Sequence, residues 1–143
     1  MFRPLAFDYT DDAFATQVED QLLLGNEIMI APVYTQNAKG RYVYLPEEMM
    51  LVRMRSCTSY ETTILPKGHH YIAIALDELV FFIRKQKSIP LAKPAANTEQ
   101  IDLQTCQLLG YPNSSYELYA DNGDSPRPED SLHRSTLRND VSC

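Results

Sequence analysis

The stretch Gln21-Leu22-Leu23-Leu24-Gly25-Asn26-Glu27-Ile28-Met29-Ile30-Ala31-Pro32-Val33 constrains the fold of this 143-residue chain more than any other. A short apolar segment runs into a glycine, where the chain can turn without a Cβ penalty. Ile28-Met29-Ile30-Ala31 then forms a brief apolar run without polar alternation, which predicts a strand covered on both faces. Pro32 has no N–H to offer a ladder and ends that strand.

The flanking segments predict a mainly β chain. Residues 2–9 read as extended, because Pro4 removes a donor and Phe, Leu and Tyr favour strands. Asp11-Asp12 precede residues 13–20, where Asp12 is the expected N-cap of a short helix. Beyond Val33, strands are expected over 41–45, 49–54, 58–65, 70–76, 79–84 and 88–91, separated by turn chemistry such as Pro66-Lys67-Gly68. Short strands at close spacing, with no long helical pattern between them, predict an antiparallel sandwich. Residues 93–98 read as a linker, and 105–109 and 116–120 as two further strands joined by Gly110-Tyr111-Pro112-Asn113. From Asp121 onward, Gly, Ser, Pro and charged residues replace apolar periodicity, which predicts a disordered tail.

Composition excludes several function classes. An apolar fraction of 44% against 22% charged is that of a soluble globular domain, and the chain is long enough to bury a real core. A net charge of −6 argues against nucleic acid, and the densest basic group, Arg84-Lys85-Gln86-Lys87, is too short for a phosphate footprint. No apolar run approaches the roughly 18–20 residues of a membrane span, and Met1-Phe2-Arg3-Pro4 lacks a signal-peptide layout. Cys57, Cys106 and Cys143 are odd in number and form no CxxC, which predicts free thiols in a reducing cytoplasm.

Ordered motifs then carry a resemblance. Arg3-Pro4-Leu5-Ala6-Phe7-Asp8-Tyr9, Asp20-Gln21-Leu22-Leu23-Leu24-Gly25 with Ile28-Met29-Ile30-Ala31-Pro32-Val33, Arg41-Tyr42-Val43-Tyr44-Leu45-Pro46, and Phe82-Ile83-Arg84 with Ser88-Ile89-Pro90 follow one another. Together they resemble the C-terminal part of glycoside hydrolase family 31, the α-glucosidase and α-xylosidase family. Tyr116-Glu117-Leu118-Tyr119-Ala120-Asp121-Asn122-Gly123 is similar to the tyrosine strand and acidic-glycine turn of that family's distal sandwich. The resemblance implies the last strands of a (β/α)8 barrel over 1–33, a proximal antiparallel β-sandwich over 34–93 and the start of a distal sandwich over 94–124; residues 125–143 are left as the disordered tail. There are departures. The family usually has proline where Val80 stands and Ala-Gly where Lys85-Gln86 stand, so Gln86 would be strained if that glycine has positive φ. Met49-Met50-Leu51 replace an aromatic cluster, and similarity stops at Gly123.

By the same resemblance, the full-length enzymes are retaining exo-acting glycosidases that use an Asp nucleophile and an Asp acid/base. Such a pair needs carboxyls about 5–5.5 Å apart, one of them protonated near neutrality. In the family both lie in barrel loops before the Arg-Pro-Leu strand, so no catalytic, substrate-binding or metal residue carries over to this chain, and no cofactor is implied. The expected partner is the remainder of its own barrel; an α-glucoside oligosaccharide would bind only the full-length enzyme. The expected role is a C-terminal fragment supporting that barrel, and the alternative is a stand-alone β-sandwich module binding carbohydrate or protein.

The chain's own candidates have plainer readings. Asp8, Asp11, Asp12, Glu19 and Asp20 are the densest carboxylates and read as loop and cap residues; Arg3 reads as a structural ion-pair partner. His69-His70 precede a strand in which neighbours face opposite ways, which argues against one shared zinc, and His133 is the only other histidine. Asp121-Asn122-Gly123-Asp124 reads as a hairpin turn and Cys57 as an inert thiol. Tyr42, Tyr44, Tyr60, Tyr71, Tyr116 and Tyr119 read as sheet-packing residues with the hydroxyl at the rim, and a sugar platform is the sharper alternative. Tryptophan, a frequent sugar platform, is absent.

Overall fold

A computed structural model describes residues 1–102, 105–120 and 133–138. The chain divides into two compact units, 1–85 and 86–143. The first contains β1 (Phe2–Pro4), β2 (Leu22–Leu24), β3 (Ile28–Ile30), β4 (Gly40–Leu45), β5 (Met49–Ser56), β6 (Ser59–Leu65), β7 (Gly68–Ala73) and β8 (Leu79–Arg84). The second contains β9 (Ser88–Leu91), β10 (Gln107–Gly110), β11 (Ser115–Ala120) and β12 (His133–Arg138). Helical structure among the described residues is 3-10 throughout, in the single turns Leu5–Phe7, Ala15–Gln17 and Thr98–Gln100 and at Thr105. The chain is therefore mainly β, and every strand pairing among the described residues is antiparallel.

In the first unit, six strands form one sheet in the order β1-β2-β3-β8-β5-β6, and β4 and β7 form a separate ribbon. The core lies between them. Leu5, Leu23, Met29, Met49, Leu51 and Phe82 meet Val43, Leu45 and Ile72 from the ribbon, each at most 5% exposed. Gly25, at φ +62°, turns β2 back onto β3 so that Leu24 pairs with Ile28, a conformation that costs an L side chain more than glycine. Gln21 enters the same core as a polar rung. Its amide donates to Tyr44 O at 2.7 Å and its carbonyl accepts from Tyr44 N at 2.8 Å, so one buried side chain satisfies both backbone groups of a β4 residue.

The apolar runs are buried differently from expectation. In β3 only Met29 is fully buried, and Ile28 and Ile30 are partly exposed. Strands covered on both faces include β5 and β8, where Met50, Val52, Phe81 and Ile83 are buried as well as Leu51 and Phe82, and the end of β4, where Val43, Tyr44 and Leu45 are all buried. Pairing within residues 2–30 is antiparallel, whereas the strands of a (β/α)8 barrel run parallel.

Several local expectations are corrected. Residues 2–9 are extended only to Pro4; Asp8 N and Tyr9 N then turn back to Leu5 O at 3.1 and 3.0 Å. Asp12 caps residues 14 and 15 as expected, but the helix is a single 3-10 turn, Ala15–Gln17. The Thr16 hydroxyl bonds Ala13 O, competing with further backbone turns, and the chain must extend to deliver Gln21 to β4.

In the second unit, β9 pairs with β10 and β11 with β12. Ser88 is buried, and Gly110, at φ +153°, passes so close to Lys87 and Ser88 that a Cβ would strike their backbone. His133–Arg138 lies in the stretch where composition predicts disorder, yet it is a strand. Leu137 faces Tyr116, and the Arg134 guanidinium lies 5.3 Å from the Tyr119 ring centre, contacts that tie it to β11. The Asp121–Asp124 turn and the rest of the expected tail lie outside the described residues. Gln86 has φ +58°, the left-handed conformation that makes a side chain there strained. Among the described residues, no helix is long and apolar enough to cross a membrane.

Candidate functional site

The first concentration of polar side chains gathers where β1 ends and β8 ends. Arg3 donates to both oxygens of Asp8 at 2.9 Å each and reaches Asn26 Oδ1 at 3.2 Å. Arg84, the last residue of β8, is anchored by its own N–H to Glu27 O at 2.8 Å. Its guanidinium spans two carboxylates, with Nη1 on Asp8 at 2.7 Å and Nε on Glu47 at 3.1 Å. Tyr9 lies under that guanidinium, 5.1 Å from ring centre to Cζ, and donates its hydroxyl to Glu47 at 2.6 Å. Arg3, read from sequence as an ion-pair partner, holds Asp8 in a bidentate fork.

Asp12 has its own shell beside this network. Oδ1 accepts from the backbone of Phe14 and Ala15 at 3.0 and 3.1 Å. Oδ2 accepts from Tyr44 Oη and Lys67 Nζ, both at 2.7 Å. Asp8, Asp11 and Asp12 line one shallow depression of ≈ 290 Å³, bounded by Pro46 and Lys67.

Charge placement decides what this cluster can do. The Arg3 fork, opposed by desolvation and helped by Arg84, brings the Asp8 carboxyl down from 3.8 to about 2. Lys67 first, then the Tyr44 hydroxyl, hold Asp12 well below the usual carboxylate range. Burial and the hydrogen bond to Glu47 push the Tyr9 phenol above its ordinary value. Asp8 and Asp12 are thus held ionised, whereas a glycosidase acid must carry a proton near neutrality. Through them the turn after β1 is bonded to Arg3 of β1, Arg84 of β8 and Tyr44 of β4.

The other sequence candidates are joined to this cluster only in part, Asp11 through the depression and Tyr44 through its bond to Asp12. Asp11 and Glu19 are exposed. His69 packs on Tyr44 and Phe14, with ring centres 4.8 and 5.4 Å away, while His70 Nε2 bonds Pro66 O at 2.8 Å. Cys57 is exposed and free. The tyrosines divide: Tyr44 is buried, whereas Tyr42 and Tyr71 pack edge to face on each other across β4 and β7 and yet stay largely exposed.

Sequence reasoning missed a second site. Asp20 and Arg41, 21 positions apart, pair at 2.6 Å, and Arg41 Nη1 also donates to Asp20 O at 3.2 Å and Pro32 O at 2.8 Å. Tyr34 Oη reaches Asp20 Oδ2 at 3.4 Å. Asp20, Tyr34, Arg41 and Tyr42 line a groove of ≈ 180 Å³. The run Arg41-Tyr42-Val43-Tyr44-Leu45 marks the strand, but no local spacing signals a partner in the loop before β2.

Comparison with known proteins agrees with the fold. The model of the glycosyl hydrolase family 31 C-terminal domain matches residues 1–89. The chain is 29% identical over 128 residues to alpha-glucosidase 2 of Bacillus thermoamyloliquefaciens, covering 86% of this chain and 15% of that protein. It is 26% identical over 125 residues to an alpha-xylosidase of Saccharolobus solfataricus, covering 86% of this chain and 17% of that protein. A solved alpha-xylosidase from Xanthomonas citri shares the fold at TM-score 0.73 and 21% identity, over 96% of this chain and 15% of that one. The chain thus spans less than a fifth of the length of these relatives.

Proposed function

The chain belongs to glycosyl hydrolase family 31, and from that premise we propose that it is the non-catalytic C-terminal portion of a retaining, exo-acting α-glucosidase-like enzyme. Its work is to support the catalytic barrel, which supplies both carboxylates of the reaction. In that parent, residues 1–33 sit at the seam with the barrel's last strands, 34–93 form the proximal sandwich and 94–124 open the distal one. The free Cys57 and Cys106 suit a reducing cytoplasm.

One observation carries this reading. Phe2, Phe7 and Phe14 are 57, 72 and 60% exposed, although Leu5 and Ala15 beside them are fully buried. Exposed rings concentrated in one short segment mark a surface that another part of a protein covers, and here that cover is the barrel. The ionised Asp8 and Asp12 support a structural role for the carboxylates near that segment.

The test is turnover of an aryl α-glucoside by the chain, by a family barrel lacking its C-terminal part, and by the two together. Activity is expected only from the combination. Turnover by the chain alone overturns the proposal, and so does a barrel whose activity the chain never raises. A second reading, a self-sufficient carbohydrate- or protein-binding sandwich, draws on one fact: β1–β3 are paired into the main sheet through β8. A monomer that stays soluble and binds sugar without any barrel would favour it.

A further inference from the structure

We propose that the groove between Tyr34 and Tyr42 is a carbohydrate-binding surface that takes a segment of an α-linked glucose oligosaccharide; the α-linkage rests on the function proposed above. Tyr42 and Tyr71 are register partners on β4 and β7, with ring centres 5.1 Å apart at 67°. Their rings stay 73 and 56% exposed, and Tyr34 is 74% exposed. Rings held in place but left in water present flat apolar faces, which suit the C–H face of a pyranose.

The polar part of the groove is equally fixed. Arg41, its side chain 13% exposed, grips Asp20 Oδ2 and the backbone carbonyls of Asp20, Pro32 and Tyr42, so the Asp20 carboxylate is oriented before any ligand arrives. The Asp20 side chain remains 41% exposed, and among the described residues its protein donors, Arg41 and Tyr34, both meet Oδ2 and leave Oδ1 open. A carboxylate oxygen beside exposed rings accepts from sugar hydroxyls and repels phosphate, which selects a neutral glycan over a nucleotide. The Asp8 cluster offers no such opening, because Arg3 and Arg84 take both Asp8 oxygens.

The experiment is an NMR titration of the full 143-residue chain with maltoheptaose, repeated for Tyr42→Ala, Tyr42→Phe, Asp20→Asn and the control Tyr60→Ala. Shifts are expected at residues 20, 34, 41 and 42, with affinity falling about 5-fold or more in Tyr42→Ala and Asp20→Asn. Tyr42→Phe, which keeps the ring, and Tyr60→Ala, outside the groove, should bind as the unaltered chain does. No binding by the unaltered chain overturns the proposal, as does binding that both Tyr42→Ala and Asp20→Asn leave intact. If Tyr42→Ala fails to fold, Asp20→Asn decides alone: weakened binding supports the proposal and unchanged binding overturns it. The titration needs no barrel, so its failure leaves the support role to be judged by turnover.

Discussion

Asp8 and Asp20 are both carboxylates paired with arginine in the same unit, yet their surroundings differ. Asp8 is held by Arg3 and Arg84 through both oxygens, beside Tyr9 and Glu47. Asp20 is gripped through Oδ2 by one arginine at the edge of an open groove lined by exposed tyrosines. A saturated carboxylate joins strands; one with an oxygen still facing solvent can meet a ligand. The difference lies in how many donors the fold brings to each group, not in residue type.

The largest effect should come from cutting the saturated cluster. Arg84→Ala leaves Asp8 and Glu47 without their shared cation and should lower stability by about 2–3 kcal/mol in urea unfolding. Asp12→Ala removes a cap and the acceptor for Tyr44, and should cost about 2 kcal/mol by the same measurement. Gln86→Gly relieves the left-handed strain in the turn after β8 and should raise stability by about 1 kcal/mol. Asp20→Asn, at the open groove, should change stability by less than about 0.5 kcal/mol. An Asp20 variant as costly as Arg84→Ala would erase the contrast between the two sites.

Acid sharpens the same contrast. The folded Asp8 carboxyl titrates below its ordinary 3.8, so its contribution is present above that value and is lost as pH falls toward about 2. Acid unfolding of the chain should steepen through that window, and Asp8→Asn should flatten it.

Much of the fold is legible in the sequence because it is local. The strands of 41–91 follow from apolar runs and turn residues, and Asp12 announces its cap by preceding Phe14 and Ala15. Strand length and pairing are less legible. Nothing in Ile28-Met29-Ile30 says that it pairs with β8, 53 positions further on at Met29–Phe82. Gln21 looks like the edge of an apolar segment, but it is a buried rung for Tyr44. The groove is least legible, since Asp20 and Arg41 meet only after β2, β3 and β4 have folded. Tyr42 and Tyr44 look alike in sequence, and only the packing of the ribbon separates an exposed ring from a buried one.

The most direct test is a carboxyl-carbon NMR titration of Asp8 in the folded chain. A midpoint near 2 is expected, as the Arg3 and Arg84 pairings require. A midpoint of about 6, the range of a glycosidase general acid, would contradict the structural role given to this cluster.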